Sequence, residues 1–199
     1  MTPLSTDAPG ADPLSVFAQW RREADGLLAD ADAIALATAT PDGRPGVRMV
    51  LMRGITDVGV RFFTNYESRK GIELASNPRA AIVWFDSVHR RQVRADGTVS
   101  ELSAGESDAY FASRDRGHQL GAVASHQSSV LADRATLERA YAEVEARFEG
   151  RDVERPARWG GYLLTASDVE LWLQRDDRLH DRFAYRRESG GWVVERLAP

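Results

Sequence analysis

Ala33-Ile-Ala-Leu-Ala-Thr-Ala-Thr40, then Pro41-Asp42-Gly43, then Val47-Arg-Met-Val-Leu-Met-Arg53 is the stretch whose reading decides the fold. The first run is short and strand-favouring, and Pro-Asp-Gly is turn chemistry, so the segment predicts a β-hairpin with Val47–Arg53 as its return strand. Val58–Thr64 follows as a third strand after a turn bounded by Gly54 and Gly59. Antiparallel neighbours joined by short turns predict a barrel or a sandwich rather than a doubly wound sheet. No βαβ alternation or Gly-rich strand-to-helix turn is present, which argues against a dinucleotide-binding fold.

Toward the N-terminus, residues 1–11 are small, polar and Pro-containing, and are expected to be disordered. Asp12-Pro13 is an N-cap with proline at the first helical position, and Leu14, Phe17, Trp20, Ala24, Leu27 and Leu28 recur at helical spacing. A helix to about Leu28 is expected, with Trp20 in the core. Toward the C-terminus, a helix over Glu67–Ser76 stops at Asn77-Pro78. Strands are expected at Arg79–Phe85 and Arg90–Leu102, the second broken at Asp96-Gly97. Ser103-Ala-Gly-Glu106 is a capping box that opens a helix over Ala104–Ser113.

Arg114–Ser129 has little periodicity. Leu137, Tyr141, Val144 and Phe148 then mark an amphipathic helix running from Val130 to Gly150, and Glu154–Arg158 is a linker. Gly160–Thr165, Val169–Gln174, Asp181–Arg187 and Trp192–Leu197 complete eight or nine strands in meander-like order. The expected class is mainly β with inserted helices (α+β), in one domain over 12–199.

With 199 residues, ordinary apolar content and a formal charge of −4, the chain is globular and offers no bulk attraction to nucleic acid or acidic membranes. It has no cysteine, hence no disulfide, thiolate nucleophile or thiolate metal site. His89, His118, His126 and His180 have no metal-like spacing, and no Gly-x-Ser-x-Gly elbow is present. No apolar run approaches membrane-spanning length, so a cytoplasmic protein is expected.

Cations stand out against this background. Arg48 and Arg53 are an odd number of residues apart, so on a regular strand they face opposite sides. Ser68-Arg69-Lys70 opens a helix, against the usual preference for acids there, which suits an anion held on free N–H groups. A merely solvated basic surface is the alternative. Arg178-Leu-His180-Asp-Arg182 would align three cationic side chains on one face of a strand, again suggesting an anionic ligand, unless Asp176 and Asp177 neutralise them. Trp172 reads equally as core or as a flat wall for an aromatic ligand.

Taken together, several motifs resemble the pyridoxine (pyridoxamine) 5′-phosphate oxidase family from about Asp12 to Pro199. They are Arg48-Met-Val-Leu-Met, Phe63-Thr-Asn-Tyr66 with Ser68-Arg-Lys70, Arg91-Gln-Val93, Tyr110-Phe-x-Ser-Arg114, Gln119-Leu-Gly121 and Gln127-Ser128. Trp159-Gly-Gly161, Arg178-Leu-His-Asp-Arg182 and the closing Glu195-Arg-Leu-Ala-Pro199 continue the pattern. The resemblance implies a split β-barrel that forms a homodimer with FMN at the subunit interface. Arg48, Ser68, Arg69, Lys70 and Ser128 would surround the FMN phosphate. Met49, Val50, Leu51, Phe63, Thr64 and Gln92 would line the ribityl chain and ring, while Gln127, Trp172 and Arg182 complete the site from elsewhere in the dimer. Arg53, Tyr110, Arg114 and His118 would bind the phosphate of a phosphorylated pyridine. Arg178 and His180 would lie over its ring as the catalytic pair. No metal, nucleic acid or membrane partner is implied.

The departures from the family pattern fall on the substrate side. A usual lysine is Arg53, a serine is His118, Trp-Gln-Gly becomes Trp172-Leu173-Gln174, and a tryptophan is Val123. The basic, tyrosine-bearing N-terminal segment is not matched, since residues 1–11 hold no Arg, Lys or Tyr. The expected activity is oxidation of pyridoxamine or pyridoxine 5′-phosphate to pyridoxal 5′-phosphate, with oxygen as acceptor and hydrogen peroxide as product. The alternatives are a phenazine-type flavin oxidase acting on a reduced cyclic intermediate, and a non-catalytic flavin- or haem-binding split barrel.

Overall fold

In the computed structural model, which describes residues 12–199, β1 (Ala33–Ala39), β2 (Pro45–Ile55) and β3 (Gly59–Asn65) form the antiparallel meander read from the hairpin stretch. The disorder expected over 1–11 lies outside the described residues. β4 (Arg79–Asp86) pairs with the free side of β1, β5 (Arg91–Glu101) with β4, and β6 (Trp159–Leu173) with β5. β3 then pairs with the first half of β6, closing six strands into a barrel. β7 (Asp181–Glu188) pairs with the second half of β6, and β8 (Gly191–Arg196) with β7.

Alternation fills this barrel. Ile34, Leu36, Phe62, Ile82, Trp84, Val93, Leu164 and Leu171 are buried inside it, and their strand neighbours face out. α1 (Pro13–Ala24), capped by Asp12, lays Leu14, Phe17 and Trp20 on the same core, with the Phe17 and Trp84 ring centroids 5.5 Å apart. It ends at Ala24, short of the expected Leu28, because Asp25 turns to an extended conformation and Gly26 takes φ 73°.

Other boundaries also differ from the sequence reading. The strands expected at Gly160–Thr165 and Val169–Gln174 are one continuous strand, β6, and the expected break at Asp96-Gly97 is a register shift opposite it. There Gly97 lies so close to β6 that a Cβ would stand 2.0 Å from the Thr165 carbonyl oxygen. Arg178 and His180 precede β7, and the strand geometry expected for them does not apply. Asp176–Arg178 is a 3-10 turn with Asp177 and Arg178 at φ 55° and 61°.

α2 (Arg69–Ser76) starts at the N-cap Ser68, and α3 (Ala104–Ala112) has the expected capping box. α4 (Arg116–Ala124) occupies the stretch read as aperiodic. α5 (Arg134–Arg147) begins later than Val130, which is 98% exposed. Of these helices, α2 packs on β1, α3 on β6, and α4 on α5. Phe111, Leu120, Val153 and Trp159 form a second small core beneath α3 and α4. Among the described residues no helix is long and apolar enough to cross a membrane.

Gly71 lets the first turn of α2 pack against the turn that leads into it: a Cβ there would stand 2.0 Å from the backbone oxygen of Tyr66. Gly71→Ala must therefore displace the first turn of α2. Overpacking of about 1–3 kcal/mol in a chain of this size corresponds to a loss of roughly 3–10 °C in Tm by thermal unfolding. An unchanged Tm would mean that the helix shifts freely.

Candidate active site

A cleft of about 760 Å³ opens between the β2–β3 edge and α3–α4, where most of the residues singled out from sequence meet. Met49, Val50, Leu51, Phe63, Thr64, Lys70 and Gln127 line one part of it, and Arg53, Tyr110, Arg114 and His118 line the other. Arg48 and Arg53 face opposite sides of β2, as their spacing requires.

At the N-terminus of α2 the charges are sorted by hydrogen bonding. Arg48 donates to Glu73 at 3.0 Å, to the Thr38 hydroxyl at 2.6 Å and to the Leu36 carbonyl at 3.1 Å. Arg69 donates to the other oxygen of Glu73 at 2.8 Å. Lys70 differs: its Nζ donates to three neutral oxygens, those of Thr64 (3.0 Å), Ser68 (2.9 Å) and Gln127 (2.8 Å). Among the described residues it forms no ion pair. Burial, reinforced by the nearby Arg48 charge, pulls its pKa down to about 8 despite the opposing pull of Glu73. Ser68 caps the helix, while Ser128, at φ 74°, lies with Arg69 and His126 beside an adjoining cavity rather than in the cleft.

The opposite part is aromatic and cationic. Phe63, Tyr110 and Trp159 stack, with centroids 3.9 Å apart for Phe63–Tyr110 and 5.7 Å for Phe63–Trp159. Arg114, just past the end of α3, lies 4.7 Å over the Trp159 ring, and its buried Nη1 has no hydrogen-bond partner. Burial and the nearby Arg53 charge both lower its pKa, against the effect of Tyr110. Arg53 donates through Nε to the Tyr110 hydroxyl at 2.6 Å and through Nη1 to Asp32 at 2.7 Å. His118 is exposed, with Nδ1 3.8 Å from Asp115.

A second group forms elsewhere. Gln92, Trp172 and Arg182 stand opposite one another in register across β5, β6 and β7, on the outer face. Arg182 is paired with Glu170 through two bonds of 2.8 and 3.1 Å. The His180 ring lies 4.7 Å from that of Trp172, and His180 Nδ1 accepts the Arg175 backbone N–H at 3.1 Å. With Nδ1 accepting, the proton of the neutral ring is on Nε2. None of Gln92, Trp172, Arg178, His180 or Arg182 lines the cleft.

Sequence reasoning overlooked Glu73, Asp32 and the stacking role of Trp159. Glu73 was detectable as the carboxylate four residues after Arg69 on one helix face. Asp32, distant in sequence from Arg53, had no local signal.

Residues 21–148 match the family described as pyridoxamine 5′-phosphate oxidase, and residues 159–199 match the pyridoxine 5′-phosphate oxidase C-terminal dimerisation region. The pyridoxine/pyridoxamine 5′-phosphate oxidase of Rubrobacter xylanophilus is 49% identical over 197 residues, covering 98% of this chain and 91% of that protein. Its namesake in Gluconobacter oxydans is 46% identical over 190 residues, covering 95% of each. Among solved structures, PhzG from Burkholderia lata, in complex with tetrahydrophenazine-1-carboxylic acid, has a TM-score of 0.93 and 34% identity, covering 100% of this chain and 98% of its own. A pyridoxamine 5′-phosphate oxidase-related, FMN-binding protein from Nostoc punctiforme, at 22% identity, covers 98% of this chain and 99% of its own with a TM-score of 0.72, a likeness of fold alone.

Because the Lys70 pKa lies near 8 rather than 10.5, its charge is lost within an accessible range. Pyrophosphate affinity, followed by tryptophan fluorescence in the ligand-free protein, should fall as pH rises through about 8, and Lys70→Met should remove that limb. The same group acts oppositely on folding. Between its folded and unfolded pKa values the unfolded chain binds the extra proton, so its contribution to stability improves as pH rises across that window. Pyrophosphate affinity that stays flat from about pH 7 to 9.5 in the wild type would contradict this placement of the charge.

Proposed function

The chain belongs to the pyridoxamine 5′-phosphate oxidase family, and on that premise we propose that it oxidises pyridoxamine and pyridoxine 5′-phosphates to pyridoxal 5′-phosphate, with FMN as cofactor and oxygen as acceptor. The observation that carries this reading is one cleft with a buried, anion-ready lysine at one part and an unpartnered arginine beside an aromatic stack at the other.

The residues fit a flavin phosphate. Lys70 has only neutral partners, the first N–H groups of α2 lie beside it, and Arg48 and Arg69 add charge that Glu73 only partly offsets. In this reading Arg48, Ser68, Arg69 and Lys70 surround the phosphate, Ser128 reaches it from the adjoining cavity that Arg69 and Gln127 also line, and Met49, Val50, Leu51, Phe63, Thr64 and Gln127 line the rest of the molecule. Bound there, FMN supplies the two-electron acceptor that oxygen restores with release of hydrogen peroxide.

The second group reaches this cleft from another copy of the chain. Trp159, at the start of β6, lines the cleft, and Trp172, at its far end, belongs to the second group. At about 3.3 Å per residue their 172 − 159 = 13 residues correspond to on the order of 40 Å of strand. Val47 and Met49, 71% and 64% exposed on the outer side of β2, are apolar surface suited to a partner. A homodimer in which Gln92, Trp172, Arg178, His180 and Arg182 of one protomer complete the cleft of its partner accounts for both observations. The match of residues 159–199 to a dimerisation region supports it.

Arg53, Tyr110, Arg114 and His118 then bind the substrate phosphate. Arg178 orients the pyridine ring, and His180 presents its Nε2 proton to it, with Nδ1 held by the Arg175 amide. The phenazine-type reading rests on the 34% identity to PhzG and ranks behind relatives at 46–49% identity.

The test is anaerobic mixing of the FMN-loaded protein with pyridoxamine 5′-phosphate while following flavin absorbance. Bleaching, with pyridoxal 5′-phosphate formed, is expected, and a protein that holds FMN but never bleaches sinks the reading. Arg69→Ala should weaken FMN retention, whereas Arg178→Ala should keep FMN and lose about tenfold or more in turnover, the scale of one charged hydrogen bond. Identical behaviour of the two variants overturns the division of the site.

A further inference from the structure

We propose that Asp32 is a positioning residue for the anion subsite, holding Arg53 so that the Tyr110 hydroxyl turns its proton toward the phosphate of the bound substrate. The inference rests on reading the Arg53–Tyr110–Arg114 part of the cleft as a phosphate subsite.

Arg53 is a bridge. Its Nη1 donates to Asp32 Oδ2 at 2.7 Å and its Nε to the Tyr110 oxygen at 2.6 Å. The planar guanidinium presents these donors in one fixed fork, so the bond to Asp32 determines where Nε points. Asp32 is itself fixed from behind, because Arg21 of α1 places Nε and Nη2 at 2.8 and 2.6 Å from its Oδ1. Asp32 does not line the cleft. It lies with Arg21, Arg22 and Gly54 around a smaller cavity on the opposite side of Arg53. Its negative charge therefore stands behind the guanidinium and outside the space a ligand occupies.

The consequence falls on Tyr110. A phenol oxygen that accepts from an arginine keeps its own O–H for another acceptor. Among the described residues that proton has no protein acceptor, and Tyr110 faces the cleft with its ring stacked on Phe63. Arg114, with its buried and unpartnered Nη1, borders the same space. The free Tyr110 proton and the Arg114 cation thus meet at a space where an anion with several oxygens would engage both. Without Asp32 the Arg53 guanidinium loses its one charged partner among the described residues and keeps, besides the Tyr110 bond, only a 3.4 Å bond from Nη1 to the Met52 carbonyl, so its Nε is no longer held on the Tyr110 oxygen and the Tyr110 proton is left undirected.

A role confined to stapling α1 to β2 would lower stability without involving Tyr110, and this separates the two explanations. In FMN-loaded protein, inorganic phosphate affinity is read by titration of the flavin and tryptophan fluorescence for the wild type, Asp32→Asn, Tyr110→Phe and the pair. We expect Asp32→Asn to weaken phosphate about tenfold, and to do so by less than about twofold once Tyr110 is Phe, because the directed proton is then gone. KM for pyridoxamine 5′-phosphate should rise in parallel while kcat changes little, and Asp32→Glu should restore part of the affinity.

Equal losses in the two backgrounds, or phosphate affinity unchanged in Asp32→Asn, overturn the proposal. Arg21→Gln, which leaves the Arg53 contact in place, gives a milder loss of the same dependence if Asp32→Asn folds poorly, and no loss counts against the proposal. A wild-type protein that binds phosphate but does not oxidise pyridoxamine 5′-phosphate refutes the vitamin reading, and the phosphate cycle still decides the role of Asp32.

Discussion

Glu73 is the interaction on which the rest of the site depends. This carboxylate, 4% exposed, accepts hydrogen bonds from Thr38 on β1 at 2.5 Å, Arg48 on β2 at 3.0 Å and Arg69 on α2 at 2.8 Å. Burial alone would raise its pKa, but the bonds from Thr38, Arg69 and Arg48 prevail and hold it near 2. Three hydrogen bonds to one carboxylate thus tie β1, β2 and α2 together at this point. The pairing also sets the charge: three cations (Arg48, Arg69 and Lys70) against one carboxylate leave two positive charges beside the α2 N-terminus. That balance suits a phosphate dianion, and the least compensated of the three is Lys70, which faces the cleft.

The barrel determines where the other pieces lie. Closing β3 on β6 requires β6 to serve two partners in succession, β3 along its first half and β7 along its second. Gly97 and the register shift beside it let β6 pass without clashing with β5. One strand thus carries Trp159 into the aromatic stack at one end and Trp172 into the Gln92–Arg182 row at the other. A single strand with these two ends keeps the two groups apart within one chain.

Much of this was legible in the sequence, for identifiable reasons. The hairpin over Ala33–Arg53, the Asp12 and Ser103 caps and the opposed faces of Arg48 and Arg53 follow from local turn chemistry and strand period, and the structure has all of them. What failed was longer in range. Continuity of β6 depends on pairing with β3 and β7, which Ala166-Ser167 does not encode by itself. Arg178 and His180 looked strand-like, yet two consecutive left-handed residues turn the chain before β7 begins. The gathering of Arg53, Arg114 and His118 was legible only through resemblance to a family, and the contacts of Asp32 through neither route.

The residues at which the chain departs from the family pattern are built into an ordered arrangement. Arg53 is built into a fork with Asp32 and Tyr110 that a single ammonium does not reproduce, and His118 still faces the cleft. Val123, where a tryptophan is usual, contributes its backbone carbonyl to Arg158 instead of a ring to the cleft. Cationic and hydroxyl donors therefore line this part of the cleft. Global charge does not supply that chemistry, since the chain carries −4 overall. At physiological salt, fields between exposed charges fade over about 8 Å, so recognition of an anion has to come from donors within reach of the ligand. Lys70 at one part of the cleft and the Arg53–Tyr110–Arg114 group at the other are such donors, and the stack of Phe63, Tyr110 and Trp159 adds a flat apolar surface beside them. Two anion-directed groups beside one aromatic stack select for flat molecules that each carry a phosphate, which is the common chemistry of the cofactor and the substrate proposed for this cleft.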